Sequence, residues 1–429
     1  MKKMRKAARI LGLTVLLSVL LLTAVACGRK STPAASTDGK TSILVFNEWV
    51  GSHAFTAYFN QRLDVFKTAN PDVAVSIEEI AGTGSANMDD KLKVMISAGE
   101  LPDVFYTNDR SIVDLAYRSG LLYDMSEFYN ADADFHHDLG ETTMNSWNAG
   151  KNGIYAISSS QNFFGIFYNK AHLASVGYDE FPTTWEEFYD MSDKLVAKGI
   201  APMALCTETA FIPSLTLLAV LASQGPEGEV QANTQPNTNF MTPEFIKAAG
   251  TLQNMYRSYT TKDAIGATAD SAVEKFSSGQ AAMCFLGTWQ LDTFRKALGE
   301  DLGMAPLPGN GVISYPDYAW FSGAKTKASA EAAYKFIRNF NNTEDQQTRL
   351  EMLGAFPDST RIDISTVQLD PIMTGLLELR EDVGYSASSP WLLFNAATIS
   401  VLPQEYSALG SGVYTPEQFA KELTDVAQH

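Results

Sequence analysis

Apolar residues in the first third of the chain switch between strand and helix periods. Ser42–Asn47 (Ser-Ile-Leu-Val-Phe-Asn) is an apolar run of strand length. Behind Ser52, a good N-cap residue, Phe55, Phe59, Leu63 and Phe66 recur at helical spacing and stop at Asn70-Pro71. Val73–Ile80 alternates as a strand, Gly82-Thr83-Gly84-Ser85 is a loop, and an amphipathic helix follows from about Asn87 to Ala98. Asp103–Tyr106 reads as a third strand and Arg110–Arg118 as a third helix. A β-α-β-α-β alternation predicts an α/β protein with a mostly parallel, doubly wound sheet, whose ligands sit at the carboxyl ends of strands. Those ends carry Glu48-Trp49 and Tyr106-Thr107-Asn108-Asp109-Arg110.

Beyond residue 150 the pattern becomes mixed. Gly153–Ser158 and Phe163–Tyr168 read as strands broken by Ser159-Ser160-Gln161-Asn162. A capping box at Thr184-Trp185-Glu186-Glu187 opens a helix to about Lys198. Helices are expected over Pro213–Ser223, Pro243–Tyr259 and Ala269–Ser277, with a loop over Gly225–Thr238. The stretch Ala281–Gln290 holds an apolar run of strand length that ends in Gly287, and Trp289 follows two residues later. That places a flat aromatic face at the mouth of a strand, suited to the C–H face of a pyranose. Trp289 capping the core beside a helix from Gln290 fits the pattern equally. Tyr318–Ala324 reads as a strand, Glu331–Asn341 as a helix, and Thr415-Pro416-Glu417-Gln418 opens a capped terminal helix. No internal repeat emerges.

The N-terminus has a different character. Lys2, Lys3, Arg5, Lys6 and Arg9 precede the uncharged stretch Ile10–Ala26, and small residues lead to Cys27. This predicts a signal peptide over residues 1–26, the competing interpretation being a permanent membrane span. Leu22-Thr-Ala-Val-Ala-Cys27 resembles the lipobox of bacterial lipoproteins, which implies lipidation at Cys27. Residues 27–40 have almost nothing to bury and are expected to be a flexible tether. Nearly 400 residues remain, more than a single core usually organises, so two lobes are expected. Loss of five leader cations takes the formal charge from −17 to −22. So acidic a body repels phosphates and excludes nucleic acid as a partner. Cys206 and Cys284 are the remaining cysteines, as buried thiols or a disulfide, and no metal motif accompanies them. No Gly-x-Ser-x-Gly or His-Glu-x-x-His motif occurs, and His136-His137 reads as a solvated, acid-flanked pair.

Several segments together resemble the carbohydrate-binding family of extracellular solute-binding proteins of ABC importers, the family of maltose-binding protein. They are Leu101-Pro-Asp-Val-Phe105 with Asn108-Asp109-Arg110, Gly153-Ile-Tyr-Ala-Ile157, Phe167-Tyr-Asn-Lys170, Pro182-Thr-Thr-Trp-Glu-Glu187, and Ala281-Ala-Met283 through Gly287-Thr-Trp289. The resemblance implies two α/β lobes, each a mostly parallel sheet flanked by helices, with ligand in the cleft between them. The lobes would comprise residues 41–155 with 315–356, and 156–314 with 357–429. Further implied are a carbohydrate ligand, an ABC permease as partner, lipid anchoring outside the cytoplasmic membrane, a monomeric state, no cofactor and no enzymatic activity. Trp289 would stack on sugar, Asp109 would accept from hydroxyls, and Arg110 would donate to them. Asn162, Tyr106 and Trp391 fall at or near family binding positions, and Trp49 shares the strand-end location without a close motif match. Asn162 replaces a carboxylate and Trp49 lies where a lysine is absent, departures that argue against maltose itself. On the residues alone, Asp109 also fits a helix N-cap and Arg110 a partner of Asp114, while Trp185 and Trp320 fit packing. A secreted glycan-processing enzyme and a non-transport adhesin or scaffold are the competing functions.

Overall fold

The computed structural model describes residues 39–429, apart from 52, 54, 81–85, 317, 380–384 and 388. The leader, Cys27, most of the tether, Ser52 and the Gly82–Ser85 loop therefore lie outside the described residues.

The first layer starts with β1 (Thr41–Asn47) and β2 (Val73–Glu79), parallel and in register from Thr41–Val73 to Asn47–Glu79. On the other edge of β1, Phe46 N–H donates to the Val104 carbonyl at 3.0 Å, and Val104 N–H donates to that of Leu44 at 3.0 Å. This extends the parallel pattern toward β3 (Phe105–Thr107). The Thr56–Ala69 helix buries Tyr58, Phe59, Arg62, Leu63 and Phe66, the face that the spacing of its aromatics marks. Strand β4 (Ala156–Ile157) does not meet β3 directly. Between them lies β10 (Ala319–Phe321), antiparallel to both. Trp320 and, from the next helix (Lys327–Asn339), Phe336 sit in the same core as Phe46 and Phe105. The first lobe is thus closed by a strand that arrives more than 150 residues after β4.

The second layer is organised around β5 (Ser160–Asn169), a strand of 10 residues. Its central partner is β7 (Ala281–Gly287), beyond which lies β6 (Ala201–Met203). The other edge is shared by β9 (Gly311–Pro316) and β8 (Leu302–Ala305), with β12 (Tyr385–Ala387) outside β9. Strand β11 (Phe356–Pro357) pairs with the start of β5. Every partner of β5 is antiparallel, whereas β6–β7 and β12–β9 are parallel. The α/β class holds, but this sheet is mixed rather than mostly parallel. Apolar periodicity reports burial and is silent on direction, which depends on where each connection returns.

Two local expectations also change. The break between the two strands is confined to Ser158–Ser159, because β5 begins at Ser160 and Gln161 and Asn162 pair with Pro316 and Tyr315 of β9. Within the expected 225–238 loop, Pro226–Asn233 is helical, with proline in its first turn. Cys206 and Cys284 are free, buried thiols, and burial pushes the Cys206 thiol up to about 12. His137 is exposed, but His136 is half-buried and stacks on Tyr129 at 4.1 Å.

The backbone passes between the layers at Ser158–Ser159 and again between β9 and β10. The Thr343–Leu353 helix then leads back to β11. It carries a buried polar network beside these passages. Asp345 accepts from the Tyr58 hydroxyl at 2.7 Å and meets Arg62 Nε at 3.4 Å and Arg349 Nε at 2.9 Å. Arg349 also donates to the Ser159 hydroxyl. One helix therefore grips both the first lobe and the segment that leaves it.

Candidate functional site

A crevice opens beside those passages. One wall carries Trp49, Phe55, Tyr58, Tyr318 and Trp320; Thr288, Trp289 and Asn162 stand on the other, and Arg349, Leu353 and Ala355 complete it. Both walls are aromatic, each for a local reason. Trp49 follows β1, where the strand ends at Asn47, and lies on Tyr106 with centroids 4.1 Å apart. Trp289 lies in the turn after β7 and folds back over Gly287. A Cβ at Gly287 would stand 1.9 Å from the indole, so only glycine lets the ring lie there. Phe164 meets the same indole edge-on at 5.0 Å. Trp289 is half-buried, so its packing leaves part of it open.

Asn162 enters the crevice from β5. Trp391 is half-buried and stacks on Phe211 at 6.3 Å, and Phe211 lies 6.2 Å from Trp289. Three rings thus follow one another on the second lobe. Tyr106 lies elsewhere: it is fully buried beneath Trp49, and its hydroxyl donates to Asn47 Oδ1 at 3.0 Å while accepting Glu48 N–H at 2.9 Å. It supports the wall from behind.

Asp109 caps the Arg110–Arg118 helix, accepting from Ser111 N–H at 2.8 Å. Arg110 turns aside: it donates to the Ser146 carbonyl and hydroxyl, and its guanidinium lies 4.2 Å from the Trp147 ring centre. Burial pulls its pKa down to about 10. Asp114, its alternative partner, sits 3.7 Å from Lys151. Trp185 packs on Phe188 and Tyr189, whereas Trp320 is both core and crevice lining.

Two acidic residues stand near Asp109 at the first-lobe strand ends, none of the three lining the crevice. Glu48 is buried, and its pKa is raised to about 7, first by burial and then by the charge of Asp89. Asp89 is raised to about 7 by burial and then by Asp109. Asp89 Oδ1 accepts from the Thr107 hydroxyl at 3.2 Å, and the same hydroxyl accepts Asp109 N–H at 3.0 Å. Glu48 Oε2 and Trp49 Nε1 are buried without a hydrogen-bond partner among the described residues. The strand-end position of Glu48 was visible in the sequence. Asp89, Phe211 and Arg349 carried no signal, because each lies on a helix whose tertiary neighbours cannot be read from periodicity, and only Arg349 of the three lines the crevice.

Two α/β lobes and an aromatic crevice beside three chain passages define a two-lobed ligand-binding protein. Residues 50–347 match the bacterial extracellular solute-binding proteins. The chain belongs to that family, which is one of binding proteins. It is 25% identical over 367 residues to the multiple sugar-binding protein of Streptococcus mutans serotype c, covering 82% of each chain. A probable sugar-binding periplasmic protein of Brucella suis is 24% identical over 70% of this chain and 71% of its own. Among solved structures, a chitin oligosaccharide binding protein superposes with a TM-score of 0.76 at 21% identity, over 91% of this chain and 98% of the other. A Streptococcus pneumoniae solute-binding protein in complex with the blood group A-trisaccharide gives 0.75 at 17% identity, over 90% and 99%. These likenesses support the two-lobe α/β fold.

Proposed function

We propose that this protein captures a sugar or oligosaccharide outside the cytoplasmic membrane and delivers it to the transmembrane subunits of an ABC importer. The carrying observation is the crevice itself, with Trp49 on one wall, Trp289 on the other and the Asn162 amide beside them. Aromatic faces suit the C–H faces of a sugar, and an amide both donates to and accepts from hydroxyls. Trp289, Trp49, Asn162, Asp109 and Trp391 are assigned to the ligand, with Tyr106 and Arg110 holding the wall in place. The sugar-binding relatives named above support this ligand class.

The protein binds its ligand without altering it, needs no cofactor and acts as a monomer. Its lobes are assigned to divide near residues 155 and 315, with a further division near 357, a reading supported by the backbone leaving one sheet for the other at Ser158–Ser159 and between β9 and β10. Cleavage before Cys27 and lipidation of that cysteine would tether it to the outer face of the membrane.

A thermal-shift screen against mono- and oligosaccharides tests the reading. Ligand at 100 times Kd adds about 2.7 kcal/mol of stability, a shift that is easily resolved. Chromatography of the best ligand after incubation with stoichiometric protein should return it intact. No stabilisation by any carbohydrate would overturn the ligand class, and turnover beyond one equivalent would make the protein a glycan-processing enzyme.

A further inference from the structure

The tryptophans of the two crevice walls differ in what they leave open. Trp289 is half-buried, whereas Trp49 is only 4% exposed. Tyr106 lies on the Trp49 indole at 4.1 Å with the planes inclined by 28°. Phe55 at 5.2 Å, Tyr318 at 5.8 Å and Trp320 at 5.9 Å meet it at steep angles, and Tyr58 and Phe59 stand at 6.1 and 6.2 Å. Enclosed by six rings, the Trp49 indole has almost no face left for a pyranose. Its polar edge is a separate question.

Trp49 lines the crevice, and its Nε1 is buried without a hydrogen-bond partner among the described residues. An indole nitrogen can only donate, and a buried donor left unmet destabilises the fold. Polar neighbours in the crevice are committed elsewhere: Tyr58 gives its hydroxyl proton to Asp345 at 2.7 Å, and Arg349 is bound to Asp345 and Ser159. The residue itself is firmly held. Its backbone N–H donates to Asn47 Oδ1 at 3.1 Å, and its carbonyl accepts from Asn47 Nδ2 at 3.3 Å. The Tyr106 hydroxyl donates to the same Asn47 Oδ1, so the stacked ring and the backbone of Trp49 share one anchor. A donor fixed in advance loses little freedom when it binds.

We propose that Trp49 recognises the bound sugar through its indole N–H, which donates to a hydroxyl oxygen of the ligand, and not through its ring face. This rests on the carbohydrate reading of the crevice and deepens it: Trp289 offers a face and Trp49 a donor. A stacking face accepts many pyranoses, because each presents C–H bonds. A buried donor is more selective, since a sugar that lacks an oxygen at the right position leaves the N–H unmet. Trp49 is thus a specificity-determining residue of the first-lobe wall.

Nuclear magnetic resonance of the full chain with 15N-labelled tryptophan tests the proposal, since each of the 6 tryptophans gives one indole N–H signal. The Trp49 signal is assigned through its contact with Tyr106, so this arm needs no variant. The probes are cellotriose, N-acetylated chitotriose, maltotriose and raffinose. Any of them that raises the melting temperature should move the Trp49 signal downfield, as formation of a hydrogen bond requires. Calorimetry supplies the second arm. Trp49→Phe should weaken that sugar by about three- to tenfold, the size of one neutral hydrogen bond. Among monodeoxy forms of the same sugar, one should bind parent and variant equally, because it lacks the oxygen that Trp49 reads. A penalty caused by lost packing alone would be the same for every deoxy form, and that result would overturn the proposal. So would a sugar that binds without moving the signal, or a signal already downfield in the sugar-free protein; both leave the carbohydrate reading standing. If none of the four binds, the sugar found by the wider screen takes their place. Failure of that screen overturns the carbohydrate reading and this proposal together.

Discussion

The Trp49 indole lies on the Tyr106 ring at 4.1 Å with the planes inclined by 28°. Only Trp49 of the pair borders the crevice, at 4% exposure, and the fully buried Tyr106 ring fixes its tilt from behind. The Tyr106 hydroxyl ties that support to Asn47 and to the Glu48 backbone, at the point where β1 ends. Tyr106→Phe would keep the stack and orphan the Glu48 N–H. It should cost about 1–3 kcal/mol of stability in chemical denaturation, with a smaller loss of affinity. Unchanged stability would show that water takes over both hydrogen bonds.

Trp289 separates a ligand wall from a core residue. As a wall, Trp289→Ala should weaken the screened sugar by about 2 kcal/mol, roughly thirtyfold in Kd, and Trp289→Phe should recover part of this. Ligand-free melting temperatures should move little. A buried core tryptophan would instead cost about 3–5 kcal/mol of folding stability on truncation. Calorimetry beside melting curves distinguishes the outcomes.

Asp345 bridges Arg62 and Arg349 in the buried network described above, and Glu344 also reaches Arg62 from solvent at 3.1 Å. Asp345→Asn would leave two buried guanidinium groups short of a counter-charge. A loss of about 3–5 kcal/mol is expected from urea unfolding. A loss below about 1 kcal/mol would mean that neighbouring carbonyls and Glu344 carry both arginines.

Glu48 and Asp89 make a pH prediction whose sign follows from proton counting. Both carboxyls hold protons up to about pH 7 in the folded protein, whereas an unfolded chain releases them near pH 4. The folded state binds more protons in that window, so these groups lower stability as the pH rises through it. Ligand-free Glu48→Gln should therefore be more stable than the parent by about 1–3 kcal/mol near pH 8, and nearly equal to it near pH 4. Denaturation at both pH values checks this; a pH-independent difference would point to packing.

Cys27→Ser tests the anchor. Intact mass of membrane-extracted parent protein should show a chain that begins at Cys27 and carries acyl groups. The variant should appear in the soluble fraction and keep its ligand affinity. A parent chain that retains residues 1–26 would refute lipidation.

What could be read from the sequence divides along a physical line. The alternation around residues 42–118 follows from local burial, and it led to the strand ends where Glu48, Trp49 and Asp109 stand. Interior details were not local. Gln161 and Asn162 look like loop residues until β9 pairs with them from 150 residues away. Arg349 looks like surface charge until Asp345 and Ser159 enclose it. Phe211 opens a helix buried from Ile212 to Ala222, so its half-exposed ring breaks no pattern. Arg110 had a charge suited to sugar hydroxyls, yet Trp147 and Ser146 claim it, a tertiary contact that spacing does not encode.

The position of β10 between β3 and β4 has a consequence for the order in which the molecule takes shape. A ribosome making this chain completes β1 to β4 by residue 157, but the strand that joins β3 to β4 appears only at 319–321. The helix that brings Phe336 to the same core comes later still. Every nascent chain shorter than about 340 residues therefore has an N-terminal half with unpaired strand edges and an incomplete core. The half whose strands are made first thus stays incomplete until about four-fifths of the chain has been synthesised.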